Sequence, residues 1–147
     1  MSILVVASLF LLGGPSLVLA AGNTNEFTLL KWQSRRDAYE WRISEARILA
    51  TPTWETASAK IPVAPDKAWK IVTRWLTKKG KGDPGSFIKM EVRLFDLSET
   101  YKPFRDRFFY RIEYPQGAFD YMVAVVLMDG TVLEPKWVPW PKPEEIK

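Results

Sequence analysis

Apolar residues recur along this chain with three different periods, and each period predicts a different element. From Ile3 to Ala21 they are almost continuous. From Pro65 the period is helical: Ala68, Val72, Trp75 and Leu76 fall at i, i+4, i+7 and i+8, widened by Trp69 and Ile71. Pro65 suits a first helical turn, where an N–H would have no partner, and Gly80, Gly82 and Asp83-Pro84-Gly85 supply a stop and a loop. From Phe87 the period becomes two, with Ile88, Met90, Val92 and Leu94 on one face and Lys89, Glu91 and Arg93 on the other, which predicts a half-buried strand. Asp96 to Arg105 is polar and reads as a connection. Phe108 to Tyr114 alternates again and stops at Pro115-Gln116-Gly117. Phe119 to Met128 is a Val-rich run of the kind found in a central strand covered on both faces. Asp129-Gly130 predicts a two-residue type I′ hairpin, with Thr131 to Trp137 as the returning strand. In that register Val126 lies opposite Leu133 and Met122 opposite Trp137, while Leu127 lies opposite Val132 and Val125 opposite Glu134.

The segment from Leu29 to Ile48 is mixed. Trp32, Ala38, Trp41 and Ile43 can share a helix face, and Ser34 with Asp37 forms a short capping box. A helix is expected there, followed by a strand over Ile48 to Trp54 that Pro52 restricts to an edge or an irregular stretch. The fold class is therefore α+β: one main helix, Asp66 to Lys79, on a four-stranded antiparallel sheet, with an N-terminal helix and strand extension. One helix covers one face of such a sheet. The second face must be covered by Phe27 to Trp54, by the C-terminal tail or by another chain.

The run Pro62-Val63-Ala64-Pro65-Asp66-Lys67-Ala68-Trp69, the alternating strands after it, and Tyr121-Met122-Val123-Ala124-Val125-Val126-Leu127-Met128-Asp129-Gly130-Thr131-Val132 together resemble a PepSY-like domain. That family comprises small exported bacterial modules. The resemblance covers about half of the chain. It implies a cystatin-like layout and a binding role, with peptidase inhibition or propeptide-like activity as the proposed forms, and it carries no catalytic residues over to this chain. The connection before Phe108 is longer than the family pattern, and Pro-rich sequence replaces the D-x-x-T-G-x ending.

The leading apolar run contains no charged side chain in residues 1–21, and Gly13-Gly14-Pro15 breaks it after Leu12. Val18 and Ala20 form a small-x-small cleavage signal, so residues 1–21 are expected to be a signal peptide cut after Ala20 or Ala21. The alternative is an uncleaved N-terminal membrane anchor. The remaining division is an N-terminal extension over 22–60, a PepSY-like domain over 61–138 and a Pro-rich tail over 139–147. The expected location is periplasmic or extracellular, with no stable membrane insertion after cleavage.

Composition narrows the chemistry. The chain of 147 residues has no Cys and no His, which removes disulfides, thiolate metal sites, cysteine nucleophiles and imidazole bases. No cofactor and no enzymatic activity are expected. Ser86-Phe87-Ile88-Lys89 matches S-x-x-K by letter, but on a strand i and i+3 point to opposite faces. Glu91, Glu113, Asp120 and Glu134 read as alternating surface charge. The net charge of +4 is concentrated between Lys60 and Lys81, where Asp66 is the lone acid. That stripe reads as a solvated helix face, and no nucleic-acid partner is expected.

The expected function is protein or peptide binding by strand addition or on an aromatic face. The candidate surface is Phe109, Tyr110, Tyr121, Trp137 and Trp140, with Lys70, Arg74 and Lys78 as a basic flank. In the Pro-rich tail, Trp137 and Trp140 form either a strap docked on the domain's own sheet or a recognition segment. The alternatives are an envelope structural protein held to anionic surfaces by the basic helix, and a small enzyme using a carboxylate and a tyrosine between helix and sheet. The oligomeric state is open.

Overall fold

The computed structural model describes residues 26–33, 37–55, 60–95, 104–117 and 120–139. The expected signal peptide, the Ser34 end of the capping box, Phe119 and Trp140 lie outside them. In chain order the elements are β1 (Glu26–Gln33), β2 (Ala38–Ser44), α1 (Glu45–Leu49), α2 (Pro65–Lys78), β3 (Lys89–Leu94), β4 (Phe108–Pro115), β5 (Tyr121–Leu127), β6 (Val132–Leu133) and β7 (Lys136–Val138). They form an α+β architecture with two antiparallel sheets, one of order β3-β4-β5-β6 and one of order β1-β2-β7.

The helix expected over the Trp32 to Ile43 region is a β-hairpin instead. Trp32 pairs with Tyr39, Leu30 with Trp41, and Phe27 with Ile43 across a bulge between Thr28 and Leu30. The spacing of Tyr39, Trp41 and Ile43 fits a period of two, which puts all three on one face, and β-branched and aromatic residues favour a pleated surface. The true helix follows the strands: Ser44 caps α1, its hydroxyl accepting from the Arg47 backbone N–H at 3.2 Å. The strand expected over Ile48 to Trp54 reduces to a single bridge between Thr53 and Arg107. Arg107 donates to the Thr51 carbonyl and, at 3.4 Å, to the Ile48 carbonyl, which already accepts from the Thr51 N–H at 3.0 Å and the Thr51 hydroxyl at 2.7 Å.

Within the meander β3–β6, register and alternation define two faces. Tyr110, Ile112 and Tyr114 share one face with Met122, Ala124 and Val126. On the other lie Phe109, Leu127, Val125 and Val123. Helix α2 covers the first: Ala68, Val72 and Leu76 are buried, and the Tyr110 hydroxyl donates to the Val63 carbonyl at 2.7 Å. The β1–β2 hairpin covers the second face, bringing Trp32, Trp41 and Ile43 into the same apolar cluster as Val123, Val125 and Leu127. Trp32 meets Tyr121 edge-on at 5.6 Å, and Phe27 meets Phe104 at 5.8 Å. The second face is thus closed by the chain's own N-terminal segment.

The Asp129-Gly130 hairpin forms, but with a different turn. Gly130 N–H donates to Leu127 O and Leu127 N–H to Thr131 O, both at 2.9 Å, with φ +85° at Gly130. This is a type I turn followed by a left-handed glycine, so Asp129 avoids the positive φ that a type I′ turn demands. The register slips by one residue relative to the expected one: Val126 faces Val132 and Val125 faces Leu133. Asp129 is left free to accept from the Thr131 N–H at 2.9 Å and from Arg47 of α1 at 2.6 Å, which ties the turn to the covering layer. The returning strand stops at Leu133, because Pro135 has no N–H for the ladder. The chain then crosses to the other sheet, where Trp137 lies opposite Tyr39 rather than Met122.

Candidate functional site

Among the described residues, exposed large apolar side chains gather in two places, one of them along β3. The loop before it is shaped by Asp83, whose carboxylate accepts from Gly85 N–H at 2.9 Å, with φ +74° at Gly85. The loop delivers Phe87 edge-on against Trp69 of α2 at 5.4 Å. Ile88 N–H then donates to Glu113 O at 2.7 Å, and Phe95 N–H to Arg107 O at 3.0 Å. With Lys89 opposite Glu113 and Leu94 opposite Phe108, the odd-numbered residues exchange hydrogen bonds with β4. Met90, Val92 and Leu94 therefore turn their N–H and C=O groups outward, along a strand that among the described residues is hydrogen-bonded on one side only.

The expected half-burial of this strand is not what the structure has. Ile88, Val92 and Leu94 are 58%, 41% and 46% exposed, and Phe87 is exposed too. The reason is lateral: α2 packs over β5 and β6, at the far side of the meander, and leaves Val92 and Leu94 on the apolar face of β3 exposed, while Met90 packs half-buried against the core. On the opposite face a charge ladder fills the same two strands. Lys89 meets Glu91 at 2.6 Å, Arg111 meets Glu91 at 3.2 Å, and Arg111 also pairs with Glu113. The Lys89 hydrogen bond, against a smaller opposing effect of burial and with help from Arg111, holds the Glu91 carboxyl below the usual range. Arg93, at the outer end of that face, has no ion-pair partner among the described residues.

The second is an aromatic row across the β1-β2-β7 sheet. Trp137, Tyr39 and Trp32 line up across β7, β2 and β1, and Trp32 continues to Tyr121. Tyr121 and Trp137 are 40% and 59% exposed, whereas Trp32 and Tyr39 between them are mostly covered. Trp137 is held by its indole N–H donating to Asp37 at 3.3 Å. Trp137 therefore docks on the chain's own sheet, while Trp140 lies outside the described residues.

Of the residues singled out from the sequence, Phe109 and Tyr110 are corrected from surface to core, at 2% and 0% exposure. Tyr110 is under α2, and its phenol pKa is raised by burial and by nearby Asp66; Phe109 packs on Phe95 at 5.0 Å from the opposite face. Lys70, Arg74 and Lys78 are exposed on the outward side of α2, with Lys70 paired to Asp66 at 3.7 Å. They lie across the meander from the sheet that carries Trp137, so the basic flank and the aromatic residues do not share one surface. The residues that sequence reasoning missed are Phe87, Ile88, Val92, Leu94 and Arg93. Their alternation was visible, but their exposure depends on where the helix lies.

Between the end of α2 and β4 is a cavity of about 430 Å³, lined by Leu76, Lys81, Asp83, Pro84, Tyr114 and Gln116. Burial, with a smaller contribution from Tyr39, pushes the Tyr114 phenol up to about 12. Among the described residues, every carboxylate with a displaced pKa, namely Glu40, Glu91, Asp129 and Glu134, is displaced downward, which favours the charged form rather than a general acid. Glu134 accepts from Trp75 at 2.9 Å and pairs with Lys79 at 3.1 Å; it is a clasp between α2 and β6. Among the described residues no helix is long and apolar enough to cross a membrane.

No protein-family model matches the chain, and comparison with curated proteins and with solved structures finds no match. The likeness to PepSY-like domains therefore rests on the sequence motifs alone.

Proposed function

We propose that this chain is an exported, non-enzymatic protein- or peptide-binding module of PepSY-like, cystatin-like design, and that it takes up an extended segment alongside β3. The export component rests on the uncharged apolar run of residues 1–21 and its small-residue ending. The long helix across a four-stranded meander supports the cystatin-like layout, with the β1–β2 hairpin and β7 as an added second layer. The observation that carries the binding reading is the edge itself. Met90, Val92 and Leu94 present unspent backbone donors and acceptors, flanked by exposed Ile88, Val92 and Leu94 side chains. Such edges are ordinarily blunted by Pro, a bulge that twists the strand away or a covering loop, because they recruit other strands. Strand addition draws its affinity from these main-chain bonds and its specificity from alternate side chains.

A displayed library of extended peptides, screened against the full chain and against Val92→Pro, tests this. Proline at Val92 removes an outward N–H and leaves the β3–β4 ladder intact, a placement edge strands tolerate. The expected hits have alternating apolar residues, lose at least about tenfold in affinity on Val92→Pro, and are unaffected by Trp137→Ala. Hits that bind Val92→Pro as well as they bind the native chain would remove the β3 edge as the site.

A further inference from the structure

We infer that the segment received by β3 is the β3 strand of a second copy, paired antiparallel about a twofold axis through Val92. This rests on the reading of β3 as a strand-accepting edge and adds the identity of the partner. Two independent features of β3 select that register. The first is the backbone. Because Met90, Val92 and Leu94 carry the outward N–H and C=O groups, an axis at Val92 sets Val92 against Val92 of the second copy and Met90 against Leu94, and each of these residues both donates and accepts.

The second feature is charge. The same register sets Glu91 opposite Arg93 of the second copy, and by symmetry Arg93 opposite its Glu91. On β3, Arg93 has no ion-pair partner among the described residues, whereas Glu91 already pairs with Lys89 and Arg111. Opposite charges across an antiparallel pair are favourable and like charges are not. An axis at Glu91 would face Glu91 with Glu91 and Lys89 with Arg93. An axis at Arg93 would face two guanidinium groups. An axis at Met90 pairs Lys89 with Glu91 but relies on Ile88, whose N–H is already given to Glu113. Only the Val92 axis satisfies both the backbone and the side chains. It also brings the exposed Val92 and Leu94 side chains of the two copies, with half-buried Met90, into one continuous sheet face.

Sedimentation or light scattering of the full chain, expressed with its own N-terminal segment so that any processing is native, should find a dimer. Arg93→Glu alone sets two carboxylates face to face at both ends of the axis, and Glu91→Arg alone sets two cations there. Each is expected to weaken association on the order of 100-fold. An equimolar mixture of the two variants restores complementary pairs and should dimerise. Amide exchange on the native chain provides a reading that needs no variant: the Met90, Val92 and Leu94 amides should become protected as concentration rises. A chain that stays monomeric, or a dimer indifferent to both substitutions, overturns the inference. If a monomer still binds displayed peptides in a Val92-dependent way, the edge reading survives without self-pairing. If it binds none, both fall together.

Discussion

Replacing Trp41 by alanine tests whether the N-terminal hairpin is an integral wall of the core or an appendage. Trp41 is 0% exposed and sits in the middle of β2, facing the meander. A buried tryptophan removes roughly 150–250 Å² from water, worth about 4–6 kcal/mol at the usual coefficient, and that figure is an upper bound. Truncations of this type cost about 3–5 kcal/mol once the residual cavity is included, so a loss of about 4 kcal/mol is expected. For a domain of this size roughly 3–4 °C of melting temperature accompanies each kcal/mol, which gives a fall of roughly 12–16 °C. The indole N–H of Trp41 is buried and, among the described residues, has no hydrogen-bond partner. Trp41→Phe removes that unsatisfied donor, whose burial costs about 1–3 kcal/mol, and should therefore cost less than half as much as alanine. Urea unfolding followed by far-UV circular dichroism and by tryptophan fluorescence reads both quantities, and the two probes should coincide. A loss below about 1 kcal/mol on Trp41→Ala, or a first transition that melts the hairpin and leaves the meander folded, would refute the reasoning.

Two further outcomes follow from the same contacts. Gly130→Ala places a side chain at φ +85°, and its Cβ would meet Ile71 Cδ1 of α2 at 3.3 Å. The left-handed strain alone is about 1–2 kcal/mol, so the melting temperature should fall by several degrees; an unchanged value would mean that the turn is not the one described. The pH profile should fall off at both ends. On the acid side, Glu40, Glu91, Asp129 and Glu134 have folded pKa values below their ordinary ones, so the stability they contribute is complete above the ordinary carboxylate range and drains away as pH falls through the depressed values. For Asp129, burial opposes ionisation, and the Thr131 N–H and Arg47 outweigh it. On the alkaline side Tyr114, raised to about 12, contributes stability that is complete below its ordinary value near 10 and is lost as pH rises toward 12. Unfolding free energies that stay flat from neutrality down to pH 3 would contradict the acid limb.

The meander was legible because its elements carry local signals. Pro65 and the Ala68-Val72-Leu76 spacing mark α2, and strict alternation marks β3 and β4. The Val-rich run from Tyr121 marks a strand covered on both faces, as the burial of Met122 to Leu127 bears out. The N-terminal hairpin is ambiguous in the sequence because Trp32, Trp41 and Ile43 fit helical and strand periods alike over so short a stretch. Pairing between β1 and β2, and the surface waiting on the meander, decided in favour of strands. The aromatic site residues failed for a related reason: Phe109 and Tyr110 advertise only that they are large and apolar, and in a strand buried from both sides such residues fill the core.

What the sequence determined by itself is the set of local elements, the absence of thiol and imidazole chemistry, and the need for a second cover on the sheet. What only the tertiary structure decided is the lateral position of α2 over β5 and β6, the one-residue slip of the Asp129-Gly130 hairpin, and hence which strand edge stays open. The physical reason is range. Helix periodicity, capping and turn chemistry act over a few neighbouring residues. The exposure of Val92 and Leu94 depends on packing between segments far apart in the chain.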